Sequence, residues 1–164
     1  MNKRHNPKSI AAPIGTYSHG VETPPNARWL HVAGQTGLMP DGSIPQGIEA
    51  QTEVVWSSII AILAEANMVS TDIVKINTYI TNAADFPGMA KIRAKYLGDH
   101  RPASTAIICT ALAKPEFIVE VEAIAAKSVA ARAVKRVAKR VAKKAAKRIA
   151  KVTVTKRAAK KKKR

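Results

Sequence analysis

A chain of 164 residues has room for one domain with a buried core, and its single cysteine, Cys109, excludes an intramolecular disulfide. No run approaches the roughly 18 apolar residues of a membrane span, and the opening MNKRHNPKSIAAPIG lacks the apolar stretch of a secretion signal, so a cytoplasmic protein is expected. The net charge of +17 sits at one end: residues 1–126 hold 10 Lys and Arg against 11 Asp and Glu, whereas residues 127–164 hold 18 Lys and Arg and no acid.

That split predicts a globular domain over 1–126 and a basic tail over 127–164. Residues 1–13 are polar, contain Pro7 and Pro13, and are expected to form a flexible lead-in. A first strand is expected from Ile14 through Val21, before the turn Thr23-Pro24-Pro25-Asn26. The second starts at Arg28 and runs into a segment where Gly34 allows close backbone approach to a ligand, a bulge, or both. A loop turns at Asp41-Gly42.

Residues 48–66 are the clearest helix. Ile48, Val55, Ile59, Ile62, Leu63 and Ala66 recur at three- and four-residue spacing and make one apolar face. Gln51, Glu53, Ser57 and Ser58 fall largely outside that face, Trp56 packs at its edge, and Asn67 ends the helix in the left-handed region. A third strand over 72–81 and a second helix over 86–98, with the stripe Met89, Ile92 and Tyr96, follow. The last two apolar runs, 104–112 and 116–126, flank the breaker Ala113-Lys114-Pro115 and are predicted to pair antiparallel.

In the second run Phe117, Val119, Val121, Ala123 and Ala125 share one face, and Ile118, Glu120, Glu122 and Ile124 share the other. Glu120 and Glu122 therefore face water, a cleft or another subunit. The order of elements predicts an α+β fold, a mixed sheet with two helices on one face. The other face, carrying Ile, Val and two Glu, needs a partner.

Sites of other kinds leave no trace. His5, His19, His31 and His100 pair neither with each other nor with Cys109 at zinc-ligand spacing. Neither G-x-x-x-x-G-K-[ST] nor G-x-G-x-x-G occurs. No metal and no cofactor are expected. Cys109, inside an apolar run, reads as a small buried hydrophobe.

The stretches Arg101-Pro102-Ala103-Ser104-Thr105-Ala106 and Val119-Glu120-Val121-Glu122-Ala123-Ile124-Ala125 resemble the C-terminal signature of the YjgF/Rid family, the reactive-intermediate deaminases. That signature is P-A-R-S/T, then a strand ending E-I/V-E-A-I-A. Ile14-Gly15-Thr16-Tyr17-Ser18 is similar to the family's I-G-P-Y-S, with Thr16 for Pro, and the segment around Gly34 to its I-x-x-S-G-Q, with Ala33 for Ser. Aligning Ile92 and Tyr96 with D-F-x-x-V-N-x-x-Y, with an insertion near Pro87-Gly88, puts Arg93 at the family's Asn.

The resemblance spans about residues 9–126. It implies a chorismate-mutase-like (YjgF-like) fold and a homotrimer with three sites at subunit interfaces. It also implies hydrolysis of 2-imine or 2-enamine intermediates to 2-keto acids and ammonia. Glu120 then falls on the water-activating glutamate, and Tyr17, Gly34, Arg93 and Ser104 on substrate-binding positions. Ser104 departs from the pattern, because it replaces the arginine that anchors the substrate carboxylate. A hydroxyl cannot form the bidentate pair that a guanidinium forms, so Arg101 or Arg93 would have to compensate from another direction. The alternative is a catalytically drifted trimer of the same fold acting as a nucleic-acid-associated binding protein. An endoribonuclease label also attaches to the family, but no His pair or Lys suited to RNA cleavage stands out.

The tail repeats loosely as VKRVAKRVAKKAAKRIAK. Its Ala, Lys and Arg favour helix, and Val134, Val137, Val141, Ala145 and Ile149 fall near one stripe. Like-charge repulsion at i,i+4 opposes a helix in water, so the tail is expected to be disordered alone, or helical once an anion neutralises it. The stripe lacks Leu, Phe and Trp, which disfavours a membrane surface. The composition resembles the tails of linker histones and bacterial histone-like proteins. DNA or RNA is the expected partner, held through phosphates by Lys135, Arg136, Lys139, Arg140, Lys143, Lys144, Lys147 and Arg148, with nucleoid association following from it. A tail that only solubilises is the plainer alternative.

Overall fold

Alternating burial along residues 73–80 marks the strand around which the sheet is built. The computed structural model describes residues 2–128. In chain order the elements are β1 (Lys3–His5), β2 (Gly20–Glu22), β3 (Ala27–Thr36), α1 (Ile48–Glu65), β4 (Ile73–Ile80), α2 (Phe86–Leu97), β5 (Ala103–Ile108) and β6 (Val119–Ser128). Ile76, Thr78 and Ile80 of β4 are buried, whereas Lys75, Asn77 and Tyr79 are half-buried on the other side. β6 repeats the pattern, with Val119, Val121, Ala123 and Ala125 buried and Glu120, Glu122 and Ile124 half-buried. Both apolar rows join the core that α1 and α2 supply with Val55, Trp56, Ile59, Leu63 and Met89. The expected mixed sheet with two helices on one face is what these faces build.

The strand order is β3-β6-β4-β5. β6 runs antiparallel to both β3 and β4, and β5 runs parallel to β4. The two last apolar runs are thus not a hairpin: β4 lies between them. A parallel neighbour needs a long crossover, and α2 provides it between β4 and β5. β5 becomes an edge strand with Thr105 through Ile108 exposed, while the longer, alternating β6 takes the interior place with neighbours on both sides. Phe117 belongs to the loop before β6, and the strand continues two residues past Ala126 to Ser128.

The N-terminal expectation is also corrected. Lys3–His5 is a strand, paired antiparallel with Gly20–Glu22, so the first segment is not merely a lead-in. Asn2 Nδ2 donates to the Ala126 carbonyl at 3.0 Å, and His5 pairs with Glu22 at 2.8 Å. The strand expected from Ile14 shrinks to its last residues, because Pro13 and Gly15 break it and Ser18 is captured elsewhere. Ser18 bridges to Ala103, its amide donates to the Pro102 carbonyl at 3.0 Å, and its hydroxyl donates to the Arg101 carbonyl at 2.7 Å.

α1 ends as expected, with Asn67 at φ 55°. Its contacts with α2 are mixed in character. Lys91 pairs with Glu49 at 2.8 Å and Lys95 with Glu53 at 2.6 Å, while Trp56 is fully buried and stacks on Tyr96. Burial, then the bond to Glu53, pushes the Tyr96 hydroxyl up to about 12, so it remains a proton donor to that carboxylate. No described helix is long and apolar enough to cross a membrane.

Gln51 departs from the amphipathic reading, because it is 2% exposed. Its Nε2 donates to the carbonyls of Pro45 at 3.1 Å and Glu116 at 2.7 Å, and its Oε1 accepts from the Ile118 amide at 3.1 Å. One side chain therefore fastens the loop before β6 to the start of α1. Gln51→Leu leaves the Glu116 carbonyl and the Ile118 amide without this partner. At 1–3 kcal/mol for each buried group left unsatisfied, the expected loss of stability is about 3 kcal/mol. A lowered denaturant midpoint at unchanged slope is the check; a shift below about 0.5 kcal/mol would show that the loop is held by other contacts.

Candidate functional site

Along β3 and β6 the register holds as far as Val32↔Ala123 and resumes at Gln35↔Val121. Three steps on β3 thus match two on β6, so β3 carries one extra residue, a bulge formed by Ala33 and Gly34. Gly34 is required there. A Cβ on it would lie 2.7 Å from Glu120 Cδ and closer still to Oε1. The Glu120 carboxylate therefore rests over bare backbone: the bulge expected of Gly34 is present, and what approaches its backbone is a side chain of the same chain. Gln35 Nε2 donates to the Ala33 carbonyl at 3.2 Å and the Gly34 carbonyl at 3.3 Å, steadying the bulge.

Glu120 shares the helix-free sheet face with Glu122. Glu122 Oε2 accepts from Asn77 Nδ2 at 3.1 Å and from the Tyr79 hydroxyl at 3.2 Å. Burial, then the negative charge of Glu122 and its bond, then Glu120, raise the Tyr79 hydroxyl above its ordinary value, so it stays protonated and donates. Of the two glutamates, Glu120 has the glycine cradle and Glu122 the hydrogen-bonded one.

A second group gathers at the other side of the sheet. The Ser18–Ala103 bridge brings Tyr17 beside the start of β5, where Ser104 follows. Tyr17 is half-buried and packs edge-on against His19, with centroids 5.9 Å apart. Arg93 is only 7% exposed, and its Nη2 donates to Thr16 Oγ1 at 2.9 Å. Burial and then the charge of Arg101 lower its pKa from the ordinary arginine value, but a guanidinium stays charged at neutral pH. Arg101 is engaged elsewhere: its Nη1 donates to the carbonyls of Gly98 at 2.6 Å and His100 at 3.0 Å.

The chain brings Glu120 and Gly34 together, and it brings Tyr17, Arg93 and Ser104 towards one end of β5. It does not join the two groups. Ser104 is level with Ile76, and Ile76 with Ala123, so β4 separates Ser104 from a glutamate three residues further along β6. With strands about 4.8 Å apart and about 3.3 Å per residue, that is about 10 Å across and about 10 Å along. In-register alternation also puts Ser104 on the helix side of the sheet, with Ile76, and Glu120 on the other.

Lys75, Asn77, Tyr79 and Gln35 were not singled out from the sequence. The signal was present in β4, where polar residues alternate with apolar ones. Among the described residues no group of three His, Cys, Asp or Glu is arranged to hold a metal ion. The proposed phosphate contacts of the tail, from Lys135 to Arg148, lie outside the described residues.

Residues 8–127 match the sequence profile of the family described as Endoribonuclease L-PSP. A RutC family protein of Pyrococcus abyssi is 37% identical over 117 residues, which span 70% of this chain and 89% of that protein. TdcF of Escherichia coli, named as a candidate reactive intermediate deaminase, is 27% identical over 118 residues, 70% of this chain and 89% of its own. The crystal structure of YyfB from Yersinia pestis, a Rid family protein, matches with a TM-score of 0.69 and 32% identity, covering 77% of this chain and 98% of that one. By profile, relatives and fold alike, the chain belongs to the Endoribonuclease L-PSP family, which includes the Rid and YjgF proteins.

Proposed function

We propose that the chain hydrolyses reactive 2-imine or 2-enamine intermediates to a 2-keto acid and ammonia, with Glu120 as the base that activates water. The observation that carries this reading is the Glu120 carboxylate seated over the Gly34 backbone in the β3 bulge. Glu120 accepts a proton from water as the water oxygen bonds to the imine carbon and the nitrogen takes up a proton. It then returns its proton to the nitrogen as the C–N bond breaks, and the new hydroxyl gives up its own proton, replacing the one the nitrogen took up, so that ammonia leaves and the carbonyl remains. An enamine first gains a proton at carbon to become the imine.

Tyr17, Arg93 and Ser104 form the substrate-binding wall. Since one copy holds this wall apart from Glu120, the site closes between copies of a homotrimer, the wall of one copy meeting the Glu120 face of the next. The protein works in the cytoplasm, and its tail binds DNA or RNA without reading sequence, which favours nucleoid association.

A second reading has its own support in Ser104. Without an arginine at that position the fold serves as a binding protein whose hydrolytic site has drifted. Release of keto acid from freshly generated enamines by the full chain, and by Ser104→Arg, separates the two. Hydrogen bonds to a charged group contribute about 1.5–3 kcal/mol, so restoring the guanidinium should raise the rate on carboxylate-bearing imines roughly 10- to 150-fold. No keto acid from either protein would overturn hydrolysis and leave the binding reading.

A further inference from the structure

The helix-free face of the sheet holds a cavity of about 340 Å³, floored by Ile124 and bordered by His31, Lys75, Asn77 and Glu122. Its two charges of opposite sign are not paired with each other. Lys75 Nζ donates to a neutral oxygen, Thr105 Oγ1 at 2.5 Å, and no ion pair to Lys75 exists among the described residues. Burial lowers the pKa of this ammonium, the mark of a cation that lacks compensation. Glu122 is turned instead to Asn77 and Tyr79, both on Oε2.

The register explains the separation. Ile124 is level with Lys75 on one side and with His31 on the other, whereas Glu122 lies two residues further along β6. Lys75 and Glu122 are therefore diagonal neighbours on one face, with backbones about 7–8 Å apart. Thr105 and Asn77 hold the two charged ends to opposite sides of the gap. A single ion cannot satisfy both ends, but a molecule carrying both charges can. In an α-amino acid the ammonium nitrogen and the carboxylate lie about 2.5–3 Å apart through two single bonds. With charge-assisted hydrogen bonds of about 2.8 Å at each end, such a molecule reaches charged groups about 8 Å apart.

We propose that this cavity binds a small zwitterion of the α-amino-acid class, its carboxylate on Lys75, its ammonium on Glu122, and its side chain toward Ile124. The volume admits a small molecule and little more. The site adjoins the one proposed for hydrolysis without using Glu120: Glu122 lies two residues from Glu120, about 7 Å along the strand, and Ala33 of the bulge lines the cavity. It does not rest on the hydrolytic reading. Neighbouring copies share the same open face, so the full-length assembled protein is the form to test.

Calorimetric titration with L-alanine, propionate and ethylamine compares the zwitterion with each of its charges alone. L-Alanine should saturate at millimolar or tighter concentration and bind at least 10-fold more tightly than the other two. Lys75→Met and Glu122→Gln should each weaken it about 10-fold or more, the loss of one charge-assisted contact, and Lys75→Arg should retain most of the affinity. Thermal unfolding of each variant checks its fold, and if Glu122→Gln fails to fold, the Lys75 pair decides. Propionate binding as tightly as L-alanine, unchanged affinity in Lys75→Met, or no saturation by about 10 mM would each overturn the proposal.

Discussion

Glu120→Gln should lower keto acid release about 10²- to 10⁴-fold, the range a positioned general base supplies, with little change in stability. Glutamine keeps the shape of the side chain, so its amide still fits over Gly34, but it cannot take the proton from water. Gly34→Ala should lower the rate by a different route, about 10²-fold or more, because a displacement of about 1 Å at a reacting group suffices for that. The added methyl group takes the place of the carboxylate, and Glu120 must swing away. Combining Gly34→Ala with Glu120→Ala relieves the clash, so any stability lost in the single glycine variant should return while activity does not. Rates and unfolding midpoints of the wild type, Gly34→Ala, Glu120→Ala and their double variant make a double-mutant cycle. If Glu120→Gln keeps the full rate, Glu120 is not the base. If Gly34→Ala keeps it, the cradle has no part in placing the carboxylate.

The residues of that cradle were legible in the sequence because both signals are local. A glycine after an apolar strand segment speaks for itself, whereas the alternation of β6 offered Glu120 and Glu122 alike and only the resemblance of the local motif chose between them. The helices 48–66 and 86–98 and the faces of β6 were legible for the same reason, since periodicity is a property of consecutive residues. Pairing is not. The 104–112 and 116–126 runs look like two arms of a hairpin, and only the crossover through α2 explains why β4 comes between them. Gln51 was read as lying outside the apolar face because helix periodicity sees its neighbours on α1 and not the carbonyl of Glu116. Ser18 was read as part of a strand because its bond to Arg101 spans most of the domain. Lys75 and Glu122 could each be read as surface charge. Their unpaired diagonal placement is a product of register, which no single segment encodes.

Removing the residues after Ser128 should abolish nearly all affinity for DNA and RNA. The cut belongs there and not after Ala126, because Lys127 and Ser128 complete the pairing of β6 with Arg28 and Ala27. Lys127 also reaches Asp72 at 3.5 Å and donates to the Asn67 carbonyl at 2.7 Å. That lysine is thus part of the domain, and the basic side chains beyond it remain for phosphate. Residues 1–128 carry 11 Lys and Arg against 11 Asp and Glu, no net charge, and should have little attraction for a polyanion. If the tail engages roughly 6–10 phosphates, affinity should fall about 10³- to 10⁵-fold between 50 and 200 mM salt, because each neutralised phosphate releases condensed counterions. No aromatic residue lies among the tail charges, so stacking adds nothing and bases should go unread. Scrambling the tail at constant composition should therefore change little, and several tails on one assembly should add avidity where they reach the same duplex. Binding measured at several salt concentrations, for the full chain and for the chain ending at Ser128, is the check. Equal binding by the two, or affinity that ignores salt, would return the tail to a solubilising role.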